Sequence, residues 1–445
     1  MTRLVTLFLC LVAAAASGSV VHVPADQLTI QAGIDAAAEG DTVLVAPGTY
    51  TGDGNRDIDF GGKNVVLKSS DGAEATIIDC QASSTDPHRG FHFHNRESAA
   101  SVVEGFTIQG ARAPNHLGSG ICCNNSSPTI KNNIVRGDTA ANAESTFEGT
   151  GGGIYCLNLS AKPLITGNVI ENCHAYQGGA IGVSTGAPRI VGNVIRGCSA
   201  ISAGAAFYGV FTEVGGEFTD NLIVGNSGVA AVMLIPYDRE PIFRHNTIAY
   251  NPSRGLIGGE NLRVENCLLA GNELDGFYCS FSTWIPEFIG CNIYGNGGGD
   301  WIDCIADQLG VNGNISMDPL LCDPENGDFD LSLISPCAAQ NNFMQSNIGA
   351  RGISCGSYTR GDLDWDGEIT QTDVELLAMF YFNPWDDWYL PTVAADMDCD
   401  GGITLADVIL LAAYYYGYGD LPYCGPPPKR PDRPGRGSNN GGEIF

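Results

Sequence analysis

One pattern recurs through the middle of this chain, Pro-x-Ile-x-x-Asn-x-Ile. It anchors segments at Asn133, Asn168, Asn193, Asn221 and Asn246. Cys267 and Cys291 continue that register, and Phe106 marks an earlier copy. Three residues before each anchor stand Val103, Ile130, Ile165, Ile190, Phe218, Phe243, Val264 and Phe288. Two residues after stand Ile108, Val135, Ile170, Ile195, Ile223, Ile248, Leu269 and Ile293. Both columns are wholly apolar. The anchors fall 21–28 residues apart, with one interval of 35. A single segment of that length cannot bury its own apolar positions, so each must stack on its neighbours around a shared core.

Short apolar alternations between Gly and Asn turns predict parallel strands, one set per coil. Asparagine tolerates a left-handed bend and hydrogen-bonds along a stack. Asn226, Asn251, Asn272 and Asn296 form a second such column. A left-handed solenoid needs a strict hexapeptide period, and there is none. Ahead of the coils, Leu28, Ile30, Ile34 and Ala37 have helical spacing, predicting a helix that covers the first coil.

In this architecture and its repeats, residues 20–357 resemble the pectate-lyase-like superfamily of secreted right-handed parallel β-helices. The segment Met317–Leu331, with Ser335-Pro-Cys337 and 347–352, resembles the closing segment of such proteins. The resemblance implies an all-β solenoid and a link to polysaccharides. Catalytic signatures are missing: there is neither the Asp series of pectin hydrolases nor the Arg-x-Pro-x-x-Arg of pectate lyases. Trp301-Ile-Asp-Cys304 looks like the lyase Trp-Ile-Asp-His without its His.

Near the C-terminus two twelve-residue loops, from Asp362 to Asp373 and from Asp396 to Asp407, carry carboxylates at positions 1, 3, 5 and 12. Both have glycine at 6 and isoleucine at 8. A hard cation takes six to eight oxygens, and alternate carboxylates on a tight glycine turn converge on one point. Asp362, Asp364, Asp366 and Asp373, with the Glu368 carbonyl, form one candidate Ca²⁺ site. Asp396, Asp398, Asp400 and Asp407, with the Gly402 carbonyl, form the second. The helices predicted after them span 370–382 and 404–416. The pair resembles the type I dockerin module, which implies a small α-helical, EF-hand-like calcium domain that docks onto a cohesin-like partner. Loop positions 10 and 11, the recognition pair of that family, are Gln371-Thr372 and Leu405-Ala406 here. They differ between repeats, which points to one docking mode or another surface protein as partner.

Residues 1–18 have a basic start, an apolar run too short to span a bilayer and small residues before Ser19, predicting a signal peptide and export. The organisation expected is leader 1–18, β-helix 19–357, calcium module 358–424 and a Pro/Gly-rich disordered tail 425–445. A net charge of −28 with 22 basic residues excludes nucleic acid and anionic bilayers as partners. Of 16 cysteines, one lies in the leader, leaving an odd number. Cys173/Cys198, Cys267/Cys291 and Cys123/Cys156 fall in register on adjacent coils, as disulfides or as thiol ladders. Cys322–Cys337 is a further candidate bridge.

Charges at outward positions also fall in register: Arg136, Glu171 and Arg196; Arg244 with Glu265; Arg263 with Glu287. Such alternation reads as cross-strand pairing. His92 and His94 share one strand face, as surface histidines or a metal pair. The remaining constellation is the loop Pro236–Glu240 with His245 and the aromatics Tyr208, Tyr237, Tyr278 and Trp284. Asp238 and Glu240 are candidate acid and base for a glycosidic bond, and Tyr237 and Trp284 candidate sugar platforms. Insertions at 208–216, 234–240 and 280–286 should rise on one side of the stack. The reading is an exported protein that degrades or binds a polysaccharide and is tethered through its calcium module. A non-catalytic, adhesin-like scaffold on the cell surface is the alternative.

Overall fold

In a computed structural model, the described residues are 18–113, 117–140, 149–158, 160–211, 215–236, 241–259, 261–280, 285–342, 344–356, 359–364, 368–382, 390 and 392–422. The predicted Tyr237, Asp238, Glu240, Trp284 and Asp366 lie outside them, as do most of the leader and the tail.

The repeats build a parallel β-helix of three long sheets. The first has eleven strands, from Val20–Val23 to Glu287–Ile289, and the second ten, from Gly48–Thr51 to Asn292–Tyr294. The third has eight, from Phe91–Phe93 to Phe277–Cys279. Each coil runs first sheet, second sheet, third sheet. Pairing follows the sequence columns: Ile130 opposes Ile165 and Val135 opposes Ile170, residue for residue. The inward side chains form one continuous core, each fully buried aliphatic or aromatic contributing about 1.5–3 kcal/mol.

At the bend between the first two sheets, the asparagine column is a buried hydrogen-bonded ladder. The Asn168 backbone N–H donates to Asn193 Oδ1 at 3.0 Å, and the Asn193 N–H to Asn221 Oδ1 at 3.0 Å. Cys267 and Cys291 substitute as weaker acceptors, their sulfurs receiving the N–H of Asn246 and of Cys267 at 3.4 Å. Asn314 completes the column by accepting from the Cys291 N–H. The second column runs the same way through Cys198, Asn226, Asn251, Asn272 and Asn296.

Asp138 occupies that second column one coil below Cys173. Its Oδ1 accepts the Ala111 N–H at 2.8 Å, while buried Oδ2 has no partner. At the matching position Asn226 uses its Nδ2 to donate to the Ile195 carbonyl at 3.0 Å. Burial first, then the nearby Cys173 and Asp79, hold the Asp138 carboxyl well above the ordinary carboxylate range. Cys80 is the other titratable group coupled to it. A raised folded value means that the folded chain keeps this proton longer than the unfolded chain. The associated stability is complete below the unfolded value near 4 and is lost as pH rises through the raised value. Asp138→Asn should therefore stabilise the β-helix, and more at pH 8 than at pH 5. The gain is about 1.4 kcal/mol for every tenfold change in the acid's ionisation constant. Urea midpoints of both proteins at the two pH values check this; a pH-independent difference would contradict it.

The helix α1, Ile30–Ala36, closes the first coil with Ile30 and Ile34 buried. It starts later than the spacing predicts: Thr29 caps it by accepting the Ala32 N–H, and Leu28 is 83% exposed. Gly33 permits the close approach, since a Cβ there would meet Val23 and Val43 at 2.9 Å. At the far end Trp301 is a lid. Its Nε1–H donates to the Ile315 carbonyl at 3.0 Å and its ring packs edge-on to Phe288.

Outward charges pair, though not always as register suggests. Arg196 binds Glu171 at 2.6 Å, but Arg136 donates to Gln109. Arg244 opposes Glu265 yet approaches Glu217, because Arg263 of the Glu265 strand takes Glu265 at 2.5 Å. The three in-register cysteine pairs are buried thiols. Disulfides instead join Cys279 to Cys304 and Cys322 to Cys355, so the expected Cys322–Cys337 bridge is corrected.

Packing separates two compact units. One comprises residues through Ser316 together with Ile348–Ala350; the other is Met317–Asn347 with the chain from Arg351. The closing segment thus groups with the aspartate-loop region. It forms a small sheet of Leu321–Asp323, Asp328–Ser332 and Ile353–Cys355. The helices of this unit are α2, Gln371–Phe382, α3, Thr392–Ala395, and α4, Leu405–Tyr415. Leu363, Leu377, Leu390, Met397 and Leu411 form their own core. Among the described residues no helix is long and apolar enough to cross a membrane.

Candidate functional site

Two regions carry the chemistry read from the sequence, one in each unit. In the second unit both aspartate loops are built alike. Asp373 at position 12 is fully buried; its Oδ1 accepts the N–H of Leu363 at 2.5 Å and of Asp364 at 3.1 Å. Its Oδ2 accepts from Thr370 through both N–H and Oγ1. Asp407 repeats this with Met397, Asp398 and Thr404. The position-12 carboxylate therefore ties loop start to helix start, and with Thr404 it closes a capping box on α4.

Carboxylate oxygens of Asp362, Asp364 and Asp373 lie within 4.8 Å of one another, as do those of Asp396, Asp398 and Asp400. Gly401, at position 6 of the second loop, has φ +93°, the sharp turn that bends the acids toward one point. Desolvation, then the charges of Asp407, Asp400 and Asp396, raise the Asp398 carboxyl above its ordinary value. Mutual repulsion of this kind is what a divalent cation relieves. All-oxygen donors of this number and spacing fit Ca²⁺ rather than a soft metal. Glu368 and Gly402 stand at position 7, where a backbone carbonyl completes such a shell.

On the β-helix the relevant surface is the outer face of the third sheet. Register lines up His92, Cys122, Tyr155, Gly182, Tyr208, Met233, Ile257 and Tyr278 in one outward row. Tyr208 and Tyr278 thus share a face, three coils apart, with Tyr278 39% exposed. The Arg254 guanidinium lies 4.5 Å above the Tyr278 ring and donates to Asp275 at 2.9 Å. Sequence reasoning missed this pair, whose only signal was that Arg254 and Asp275 fall on neighbouring coils.

Strands Gly204–Phe211, Ala230–Pro236 and Phe277–Cys279 end on the same edge of that sheet. The insertions carrying Tyr237, Asp238, Glu240 and Trp284 follow these ends. His245 follows the strand Ile242–Arg244 and sits at the next bend with φ +52°. The His92 and His94 rings stack at 4.1 Å, and burial with the nearby Arg89 lowers His92 to about 4. Among the described residues, only the two aspartate clusters gather three metal-ligating side chains.

A family model for the right-handed β-helix region matches residues 64–234. No curated protein matches the chain. Among solved structures, the catalytic domain of a GH87 α-1,3-glucanase aligns at 14% identity and TM-score 0.43, over 64% of this chain and 60% of that one. The chain thus spans about three-fifths of that domain. A mannuronic-acid-specific family 6 polysaccharide lyase from human gut microbiota aligns at 14% identity and TM-score 0.32, covering 62% and 80%. The A-module of an Azotobacter vinelandii mannuronan C-5 epimerase aligns at 15% identity and TM-score 0.29, covering 63% and 85%. Together, the family model and the parallel registers make the body of this chain a right-handed parallel β-helix.

Proposed function

We propose that this is an exported modular protein whose β-helix binds, and through Asp238 and Glu240 cleaves, a polysaccharide. Its C-terminal unit folds on two Ca²⁺ ions and tethers it to a partner. The observation that carries the tethering is the twin loop, with the same four hydrogen bonds on Asp373 and on Asp407. Such repetition suits a metal-folded docking module better than a surface turn. One face of α4 carries Leu405 and Ile409 in the open, with Ile409 60% exposed, continues to Tyr416 at its C-cap, and offers apolar contact to a cohesin-like or other surface protein. Polysaccharide binding is supported by Tyr208 and Tyr278 on one face, beside the edge from which the Tyr237 and Trp284 segments depart.

A second reading, the non-catalytic cell-surface scaffold, is favoured by the outward charges. Lys68–Glu104–Lys131 and Arg189–Glu217–Arg244 are committed to stacking rather than to a ligand. A panel of pectins, alginate, xylans and glycosaminoglycans separates the two, read by reducing ends and by absorbance near 235 nm. The enzyme reading expects turnover of one polymer, lost in the Asp238→Ala/Glu240→Ala variant with unchanged melting. Binding without turnover leaves the scaffold reading, and neither binding nor turnover removes polysaccharides altogether.

A further inference from the structure

A pocket lies on that same edge, two coils and more before the insertions, and none of its residues belongs to the site above. Arg96, Glu97, Ser98, Asn125, Ser127 and Ser160 enclose about 570 Å³. They come from the turns between third and first sheet on three successive coils, so the pocket extends about 10 Å along the stack. Its volume is that of a small-molecule site, and beside Ala99 and the aliphatic stems its lining carries the hydroxyl, amide and guanidinium groups of Ser98, Ser127, Ser160, Asn125 and Arg96.

Glu97 is 1% exposed and forms the floor. Its oxygens accept the N–H of Gly62 and of Asn95 and the Ser126 hydroxyl. Ser126 in turn accepts the Arg96 N–H, which fixes Arg96 at φ +64° with its side chain exposed. A left-handed arginine is uncommon and persists only where its surroundings hold it. The result is a hollow lined by an exposed arginine and three serines, with one cation, Arg96, and one buried anion, Glu97.

We propose that this pocket is a subsite for the uncharged, polyhydroxylated units of a glycan chain lying parallel to the stacking axis. The proposal rests on the reading that the β-helix binds a polysaccharide. Serine, asparagine and arginine exchange hydrogen bonds with sugar hydroxyls at a small net gain each, so one unit binds weakly and several in line bind usefully. The strands ending at Phe211 and Pro236 lie roughly 10 and 14 Å further along the same edge, within reach of one extended chain. A polyanion is disfavoured, because the pocket's charges cancel and the chain carries −28.

The test is calorimetric titration of the full chain in Ca²⁺ and 0.15 M salt with xylohexaose, cellohexaose and hexagalacturonate. The pocket variant is Arg96→Asn/Ser160→Ala, and the insertion variant is Asp238→Ala/Glu240→Ala. Asparagine suits position 96, since Asn125 and Asn158 adopt φ +54° and +77° on the next coils, and melting curves confirm folding. A neutral hexasaccharide should bind, and the pocket variant should weaken it about tenfold. Wild-type affinity in the pocket variant, with loss in the insertion variant, overturns the subsite and leaves the polysaccharide reading standing. Binding of hexagalacturonate alone overturns the neutral assignment. No binding of any probe overturns both.

Discussion

Replacing Asn193 by alanine is expected to remove on the order of 4 kcal/mol from the β-helix. Asn193 is buried in mid-stack and makes four hydrogen bonds with its side chain. Oδ1 accepts the Asn168 N–H and Nδ2, and Nδ2 donates to the Ile165 carbonyl and to Asn221 Oδ1. Truncation leaves the Asn168 N–H and the Ile165 carbonyl without partners in a dry interior, at about 1–3 kcal/mol each, and adds a cavity. The chain itself supplies the control. Cysteine stands at this position on two later coils and still accepts the N–H of the preceding coil, so Asn193→Cys should cost about half as much. Each coil touches only its neighbours, so the loss should show as early unfolding of the flanking coils in urea. A shift below about 1 kcal/mol for Asn193→Ala would mean that the ladder is not what holds the bend.

In the second unit, Asp373→Ala should abolish helix formation around its loop. The variant strands three amide N–H groups and a hydroxyl that now converge on one carboxylate, a loss on the order of 3–5 kcal/mol. Helix α2 has 12 residues and is marginal without its packing. Circular dichroism should lose the α-helical signal of this unit while the β signal remains. Asp373→Asn should be nearly as damaging, because its amide would point donors at donors. Normal helicity in Asp373→Ala would refute the shared architecture of the two loops.

How much of this was legible follows from where the constraint lay. Apolar columns and the asparagine ladder could be read because burial repeats at a fixed place in every coil. Asp138 escaped notice because a carboxyl can take the place of an amide only when burial keeps it protonated, and burial is not visible in composition. Cys355 escaped as the partner of Cys322 because it arrives only on the third strand of the small sheet, 33 residues on, whereas Cys337 was merely nearer in sequence. Leu28 matched a helical period, yet the Thr29 cap starts the helix after it. In the aspartate loops, spacing gave the candidate carboxylates that the fold gathers. It did not reveal that the position-12 carboxylate also serves as a staple, which depends on where the backbone N–H groups converge.

The most direct measurement is a Ca²⁺ titration of the chelator-stripped full chain, with bound metal counted and helicity followed by circular dichroism. Two Ca²⁺ per chain with a gain in helix are expected, and at most one in Asp373→Ala. No binding up to millimolar Ca²⁺, with an unchanged helical signal, would contradict that expectation.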